Sequence, residues 1–419
     1  MAGRGLHPGG RGVRDTLAMS PDELSVQVEF VPRVSSIDEA LWRECFPPPL
    51  EGHFWYQTLE TCGLEDQFAF SYALIKRGAQ PVGIAPCFLH DVPIALVAPA
   101  PVAWVLRQLA RVLPRVGFQR TFFIGSPCAD AGTIGLVPGM TLAEVAPALR
   151  RAVRAKAREV GAAMIVFKDF PTEEATVLTG PAEGRRFFPT VSYPGTAVAL
   201  SAPEKEGYYR ALAHTQRHNL LKKLRRSRAE LPLQTSVVTR PSDRELDEVF
   251  ALFRQTYERG KTKFERLDRR FFERVREHDA AQFLLQRDSA NGELVAFMLV
   301  FRIGDRLINK FIGLDYRRGG KTYLYFRLFD AAVDFACREG AKEIQSGQTG
   351  YRAKFDLGHR LVPLWNVFRH ENPVVHLVFS AIGRQISWPS LDADLAEYLR
   401  VHPTSGGEFS SITRRQSGD

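Results

Sequence analysis

Lys310-Phe311-Ile312-Gly313-Leu314-Asp315-Tyr316-Arg317-Arg318-Gly319-Gly320-Lys321-Thr322 is the stretch on which the reading of this chain turns. An apolar run ends at Gly313, and a polar loop with two adjacent glycines follows. From Thr322 to Glu339 the apolar residues recur with helical spacing, and Gly340 is a natural residue just past a helix end. Ala341-Lys342-Glu343-Ile344 then opens another strand. A strand that returns through a helix to a further strand implies a right-handed crossover to a parallel neighbour. Just upstream, Gln282 to Arg287, a turn at Ser289 to Gly292, and Glu293 to Arg302 read as a hairpin.

The same order occurs once before. Phe68 to Lys76 alternates, Gly78-Ala79 turns, and Pro81 to Leu89 returns. Phe122-Phe123-Ile124-Gly125 ends a strand, a helix spans about Leu142 to Val160, and Gly161 stops it. Ala162-Ala163-Met164-Ile165-Val166-Phe167 is a buried strand. Phe-Ile-Gly and Gly-Ala-x-x-Ile therefore recur in one order, 36 residues apart from Gly125 to Gly161 and 27 apart from Gly313 to Gly340. The expectation is an α+β protein with mixed sheets in two superposable domains, residues 21–200 and 201–375, with Gly125 and Gly313 in equivalent places. Residues 1–20, Gly- and Arg-rich, read as a disordered extension, with Met19 read as the start. Residues 376–419 read as a C-terminal extension, loose after about 400.

Composition narrows the function classes. Hydrophobic residues are 45% and charged residues 25% of 419, values of an ordinary globular chain rather than a collagen or a disordered one. No apolar run reaches the roughly 18 residues that span a bilayer; the longest, Val92 to Leu106, is broken by Pro93, Pro99 and Pro101. Five scattered cysteines without a Cys-x-x-Cys point to reduced thiols and a cytoplasmic setting. A formal charge of +9 favours an anionic partner.

The Gly319-Gly320 loop, running into a helix N-terminus, suits phosphate or pyrophosphate. Gly320-Lys321-Thr322 copies the tail of a P-loop, but Asp315 stands where that motif needs Gly, so an NTPase is rejected. The loop resembles the acyl-CoA loop of the GNAT acyltransferases, Q/R-x-x-G-x-G/A, through Arg317 and Gly320. Gly347-Gln348-Thr349-Gly350-Tyr351-x-x-Lys354-x-x-x-Gly358 follows the closing strand. With Tyr323-Leu324-Tyr325-Phe326, and with Phe123-Ile124-Gly125-Ser126 and Phe167-Lys168-Asp169-Phe170 in the first half, it resembles the FemAB-like, or BioF2-like, branch of that superfamily. The match covers roughly Phe54 to His370.

This resemblance implies two GNAT-like domains in tandem and transfer of an acyl or aminoacyl group to an amine, with a cell-wall precursor as one acceptor. The donor would be acyl-CoA or aminoacyl-tRNA, with no covalently bound cofactor. It implies that Asp315 orients the amine, that Tyr316, Tyr323, Tyr325 and Tyr351 donate hydrogen bonds or protons, and that Lys354 offsets negative charge. Gln348 would join them at the carboxyl ends of the two central strands, and Lys168 and Asp169 would support acceptor binding. The chain lacks an obvious long helical-hairpin insertion, which the tRNA-using members carry. Alternatives are a CoA-dependent N-acetyltransferase acting on a small metabolite or peptide, and a non-catalytic RNA- or wall-precursor-binding protein.

Two further features carry expectations. His214 to Arg228 holds six Arg or Lys in fifteen residues, with Leu212, Leu220, Leu221 and Leu224 near one helical face. Arg217, Asn219, Lys222, Arg225 and Arg226 are its candidate contacts to an anionic donor, against the simpler reading of a solvated helix face. His214 and His218 share a face but have no third ligand, so no metal is expected. Val102, Val105, Leu106, Leu109, Val112 and Leu113 form an apolar stripe opposite Arg107, Arg111 and Arg115. Packing on the chain's own sheet is favoured there over peripheral membrane contact.

Overall fold

The computed structural model describes residues 25–46, 51–93, 118–180, 187–260 and 264–402. The strands are β1 (Val26–Val31), β2 (Ala69–Arg77), β3 (Gln80–Pro93), β4 (Phe118–Ile124), β5 (Gly135–Leu136), β6 (Met164–Phe170), β7 (Phe188–Val191) and β8 (Gly195–Ala199), followed by β9 (Leu233–Val238), β10 (Ala281–Asp288), β11 (Leu294–Ile303), β12 (Arg306–Leu314), β13 (Glu343–Ser346), β14 (Arg360–Val362) and β15 (Trp365–His370). They form two sheets, β1-β2-β3-β4-β6-β15-β7, with β5 beside β3, and β9-β10-β11-β12-β13-β8-β14.

The two orders correspond strand for strand. In each sheet one pair is parallel, β4 with β6 and β12 with β13, and a long helix links it. Leu142–Glu159 is the first linker and Leu324–Arg338 the second. Leu149, Val153 and Ala157 bury one side of the first helix under its sheet, and Leu328, Ala332 and Ala336 do the same for the second. Thr141 and Glu144 fix the start of the first helix through a reciprocal capping box.

The halves exchange a strand. β8, from the end of the first half, pairs with β13 and β14 in the second sheet; β15, from the end of the second, lies between β6 and β7 in the first. The division expected at residue 200 therefore does not follow the sheets. Only Ser192–Pro194 separates β7 from β8 and only Pro363–Leu364 separates β14 from β15, so each short connection crosses between sheets. The inner faces of both sheets meet in one core, which holds Ile84, Phe88 and Val166 from one side and Phe283, Leu285, Phe297 and Leu299 from the other. Trp42 and Trp55, from the helices Glu39–Cys45 and His53–Thr61, are fully buried in it.

The register corrects one expectation. Ile124 opposite Phe167 is the last pair of β4 with β6, and Asn309 opposite Ser346 is the last pair of β12 with β13. The counterpart of Gly125 is therefore Lys310, not Gly313. The Phe-Ile-Gly match was displaced by three residues, although the repeated order of elements holds. Lys310 is also the extra residue of a β-bulge, because Leu299 faces Phe311 while Val300 faces Asn309.

The amphipathic stripe of Val102 to Leu113 lies outside the described residues.

Candidate active site

Beyond Asn309 and Ser346, β12 continues while β13 ends, so the two central strands of the second sheet part. A cluster of charged side chains from both halves gathers at this point. Lys310 has a side chain only 2% exposed, with its ammonium 3.4 Å from Glu51 Oε1 and 3.2 Å from Asp130 Oδ2. The same ammonium stands 5.0 Å above the Trp55 ring. Burial alone would strip its proton; Asp130 and Glu51 outweigh that and hold it charged. Burial pushes the Glu51 carboxyl above its ordinary range, with Lys310 opposing.

Asp130 brings the first half to the parting of the second: its Oδ1 lies 3.6 Å from where a Cβ would stand on Gly347. On the same side Lys354, in the short helix Tyr351–Asp356, donates a hydrogen bond to the Gly347 carbonyl. Burial lowers its pKa to about 7, and Asp130 only partly opposes this. His359 Nδ1 donates at 2.9 Å to the Lys354 carbonyl, and its Nε2 lies 3.3 Å from Ser346 Oγ. Burial, then Lys354, depress its pKa to about 3, so the ring is neutral. Asn309 Nδ2 donates to the same Ser346 hydroxyl at 3.4 Å. This small network fixes the ends of β12 and β13. The Gln348 Nε2 beside it is buried with no hydrogen-bond partner among the described residues.

Two groups complete the cleft. Lys168, at the end of β6, pairs with its neighbour Asp169 and stands 5.7 Å above the Phe264 ring. Asp169 has φ +60°, a left-handed conformation that costs a non-glycine residue about 1 kcal/mol or more. Its conformation is held by Asn366 accepting from its N–H at 2.9 Å and by Ser192 donating to its carboxylate. Glu265 is a carboxylate with no ion-pair partner within 4.0 Å among the described residues; burial raises its pKa to about 7, with Lys168 and then Lys310 opposing.

The expected residues fall into three groups. Lys354, Gln348, Lys168 and Asp169 reach the cleft. Asp315 does not act toward it. The carboxylate is buried and held by Arg317 Nε at 2.8 Å and Arg318 Nε at 3.4 Å, and these arginines also reach Glu293. Burial opposes its ionisation, but the hydrogen bonds from Arg317 win and its pKa is lowered. Asp315 therefore fixes the turn, and Arg317 is used up in the same ion-pair network. Tyr316 is exposed on that turn, its ring 4.5 Å from the Arg259 guanidinium. Tyr351 is 1% exposed and donates to the Pro194 carbonyl at 2.8 Å, in a separate core with Trp388 and Leu395. Among the described residues no hydrogen bond or ion pair joins Asp315 or Tyr316 to Gln348 or Tyr351; Tyr351 instead holds the Ser192–Pro194 connection that crosses between the sheets. Tyr323 adopts φ +46° just before the Leu324–Arg338 helix. The buried Tyr325 hydroxyl has no partner among the described residues.

The basic helix, His214–Glu230, packs between these parts. Ser227 donates to the Thr322 carbonyl at the end of the Gly319-Gly320 turn, Gln216 donates at 2.9 Å to the Phe355 carbonyl, and Lys223 pairs with Asp356 at 2.6 Å. It thus touches both the glycine turn and the helix that carries Lys354. Asn219, Lys222, Arg225 and Arg226 are exposed, and Arg217 is half-buried; none of these four cations has an ion-pair partner among the described residues.

Lys310, Glu51, Asp130 and Glu265 were missed. One signal was available for the first: a lysine inside the apolar strand Leu307-Ile308-Asn309-Lys310-Phe311-Ile312 has to find a carboxylate if it is buried.

Residues 214–354 match the family described as "Acetyltransferase (GNAT) domain". The chain has the fold of FemX, whose crystal structure it matches with a TM-score of 0.51 at 13% identity over 84% of this chain and 100% of that one. It is also similar to L-PGS from Bacillus licheniformis, with a TM-score of 0.45 at 13% identity over 63% of this chain and 82% of that one. A tandem GNAT protein from the clavulanic acid biosynthesis pathway gives a TM-score of 0.45 at 13% identity, covering 83% and 99%. No curated protein is detectably similar in sequence. The family match thus lies within the second half, and the chain as a whole has the fold of FemX, with two mixed sheets of corresponding strand order.

Proposed function

We propose that this chain moves an acyl or aminoacyl group from an anionic donor to an amine acceptor in the cleft between its two halves. One observation carries the reading: the helix that holds Lys354 at the parting of β12 and β13 is itself gripped by the basic helix. A donor whose anionic body lies on Lys222, Arg225 and Arg226, with its phosphates at the Gly319-Gly320 turn, would direct its carbonyl toward Lys354.

The chemistry needs a neutral amine and a place for the charge that develops on the carbonyl oxygen. The acceptor arrives as an ammonium, and Glu265 is the unpaired carboxylate that takes its proton. The amine nitrogen bonds to the carbonyl carbon, and the C=O electron pair moves to oxygen, where Lys354 stabilises it. The C–O bond of an ester, or the C–S bond of a thioester, then breaks. The proton is passed to the leaving oxygen or sulfur. Lys168 and Lys310, already paired, keep the cleft near neutrality while Glu265 ionises. An amine of a cell-wall precursor remains the acceptor proposed from the sequence.

A second reading, acyl-CoA-dependent N-acetylation of a small metabolite or peptide, is favoured by the family match over residues 214–354. Native mass spectrometry and equilibrium binding with coenzyme A and with a charged tRNA pool separate the two. Binding of tRNA that collapses in the Lys222→Glu/Arg225→Glu variant supports the aminoacyl reading. Stoichiometric coenzyme A with no RNA supports the second. Binding of neither overturns the donor site.

A further inference from the structure

We propose that a cavity on the outer face of the second sheet, beside the helix Leu324–Arg338, binds a small phosphorylated metabolite. The cavity measures about 470 Å³, the size of a small-molecule site. β9 is the edge strand of this sheet, and Thr235 and Val237, both in the cavity wall, stay exposed on it. Gln286, opposite Thr235, shares a face of β10 with Leu284, which packs in the core under the helix. Phe283 and Leu285 point the other way, into the core between the two sheets. Lys310 lies over Trp55 of that inner core, so the sheet stands between the cavity and Lys310.

The charges of the wall identify the ligand. Arg327, Asp330, Ala331, Asp334 and Arg338 follow one side of the helix at spacings of three, four, seven and eleven. Eleven residues of helix make a wall about 16 Å long. Across from it stand Arg228, near the end of the helix His214–Glu230, and Lys205, at the start of the helix Lys205–Ala211. The lining thus has an excess of two positive charges, the match of a phosphate dianion.

Both carboxylates are already taken. Asp330 accepts from Tyr209, from Lys205 at 3.2 Å and from Arg228 at 3.3 Å, and Asp334 pairs with Arg338 at 3.3 Å. Arg327 is left over. It is only 9% exposed, yet it has no carboxylate within 4.0 Å among the described residues. Its Nη1 donates to Ser227 Oγ at 3.3 Å and to the Leu231 carbonyl at 3.2 Å; nothing among the described residues accepts from Nε or Nη2. Burial, and then Arg228, oppose its charge. A buried guanidinium needs a partner, and its fork fits two oxygens of one phosphate.

The cavity is larger than a phosphate ion, so an organic body lies beside Ala331 and Val237. Gln286 Nε2 donates at 3.1 Å to the Arg327 carbonyl and holds that turn of the helix in place. Its Oε1 is buried without a partner among the described residues, an acceptor for which a hydroxylated ligand supplies the donor.

Equilibrium dialysis and isothermal titration of the full chain at low salt test this, with inorganic phosphate, glucose 6-phosphate and citrate as probes. Wild-type protein is expected to take up one equivalent of a phosphate probe and to melt at a higher temperature with it. Tighter binding of glucose 6-phosphate assigns an organic phosphate, and tighter binding of inorganic phosphate assigns the free ion. Arg228→Gln should weaken binding about ten-fold with an unchanged melting temperature, since that side chain is 56% exposed. Arg327→Met should remove saturable binding, and Arg327→Lys should restore part of it. Lys222→Glu/Arg225→Glu should keep the one equivalent, which separates this site from the donor site proposed above. No saturable binding of either phosphate probe overturns the proposal, as does wild-type affinity in Arg228→Gln. Binding that is lost in the Lys222/Arg225 variant but kept in Arg327→Met, or citrate binding tighter than both phosphates, overturns it as well.

Discussion

Replacing Lys310 by Met isolates the electrostatic centre of the cleft. Methionine keeps an aliphatic stem over Trp55, so little volume is lost; what disappears is the charge between Glu51 and Asp130, 3.4 and 3.2 Å away. At a side-chain exposure of 2% water cannot replace that charge. Removing one partner of a buried ion pair typically costs about 3–5 kcal/mol, because the other charge is left unpaired. The expected loss in guanidinium unfolding at pH 8 is therefore in that range. Its pH dependence identifies the cause. Glu51 is already raised by burial, with Lys310 opposing, so in the variant it rises further. A carboxyl whose folded pKa exceeds its unfolded value binds a proton on folding, and stability returns as pH falls through the folded pKa. The gap between wild type and variant should thus shrink from pH 8 to pH 5.5. A loss below about 1 kcal/mol, or a gap that widens on acidification, would refute the buried-pair reasoning.

Tyr351→Phe should cost about 1–2 kcal/mol of stability, read by thermal melting, because the Pro194 carbonyl loses its buried donor, with little direct change in chemistry. The rate of transfer should follow a bell centred near pH 7: below it Glu265 is protonated and takes no proton, above it Lys354 is neutral and no longer stabilises the oxyanion. In a pH–rate series Glu265→Gln should remove the acid limb and Lys354→Met the alkaline limb. Lys222→Glu/Arg225→Glu should weaken donor binding and flatten its salt dependence while leaving the melting temperature unchanged, as isothermal titration at several salt concentrations would show.

The order of elements was legible because long helices and hairpins carry strong periodicity, and Gly161 and Gly340 mark equivalent helix ends. The strand exchange was not. β7, β8, β14 and β15 are short, and an apolar strand of three to six residues does not say which of two sheets will take it. The three-residue displacement of the Phe-Ile-Gly match arose from comparing letters rather than pairing; the bulge at Lys310 shifts side chains just where the match was made. Lys354, Gln348, Lys168 and Asp169 were legible because they follow strand ends. Glu51, Asp130 and Glu265 lie on connections far apart in sequence, and only the packing of one half on the other brings them to Lys310. Asp315 and Tyr351 misled for the opposite reason: their polar groups look available in sequence but are consumed by Arg317, Arg318 and Pro194.

The most direct test of transfer in the cleft is a label-transfer assay. The full chain is incubated with radiolabelled acetyl-coenzyme A or with a tRNA pool charged with labelled amino acids, and a panel of amine acceptors is followed by chromatography. The account predicts that label moves from one donor class to an amine acceptor, and that Lys354→Met or Glu265→Gln lowers the rate about 100-fold or more at pH 7 with the fold intact. Transfer that survives both substitutions at the wild-type rate would contradict the assignment of the chemistry to this cleft.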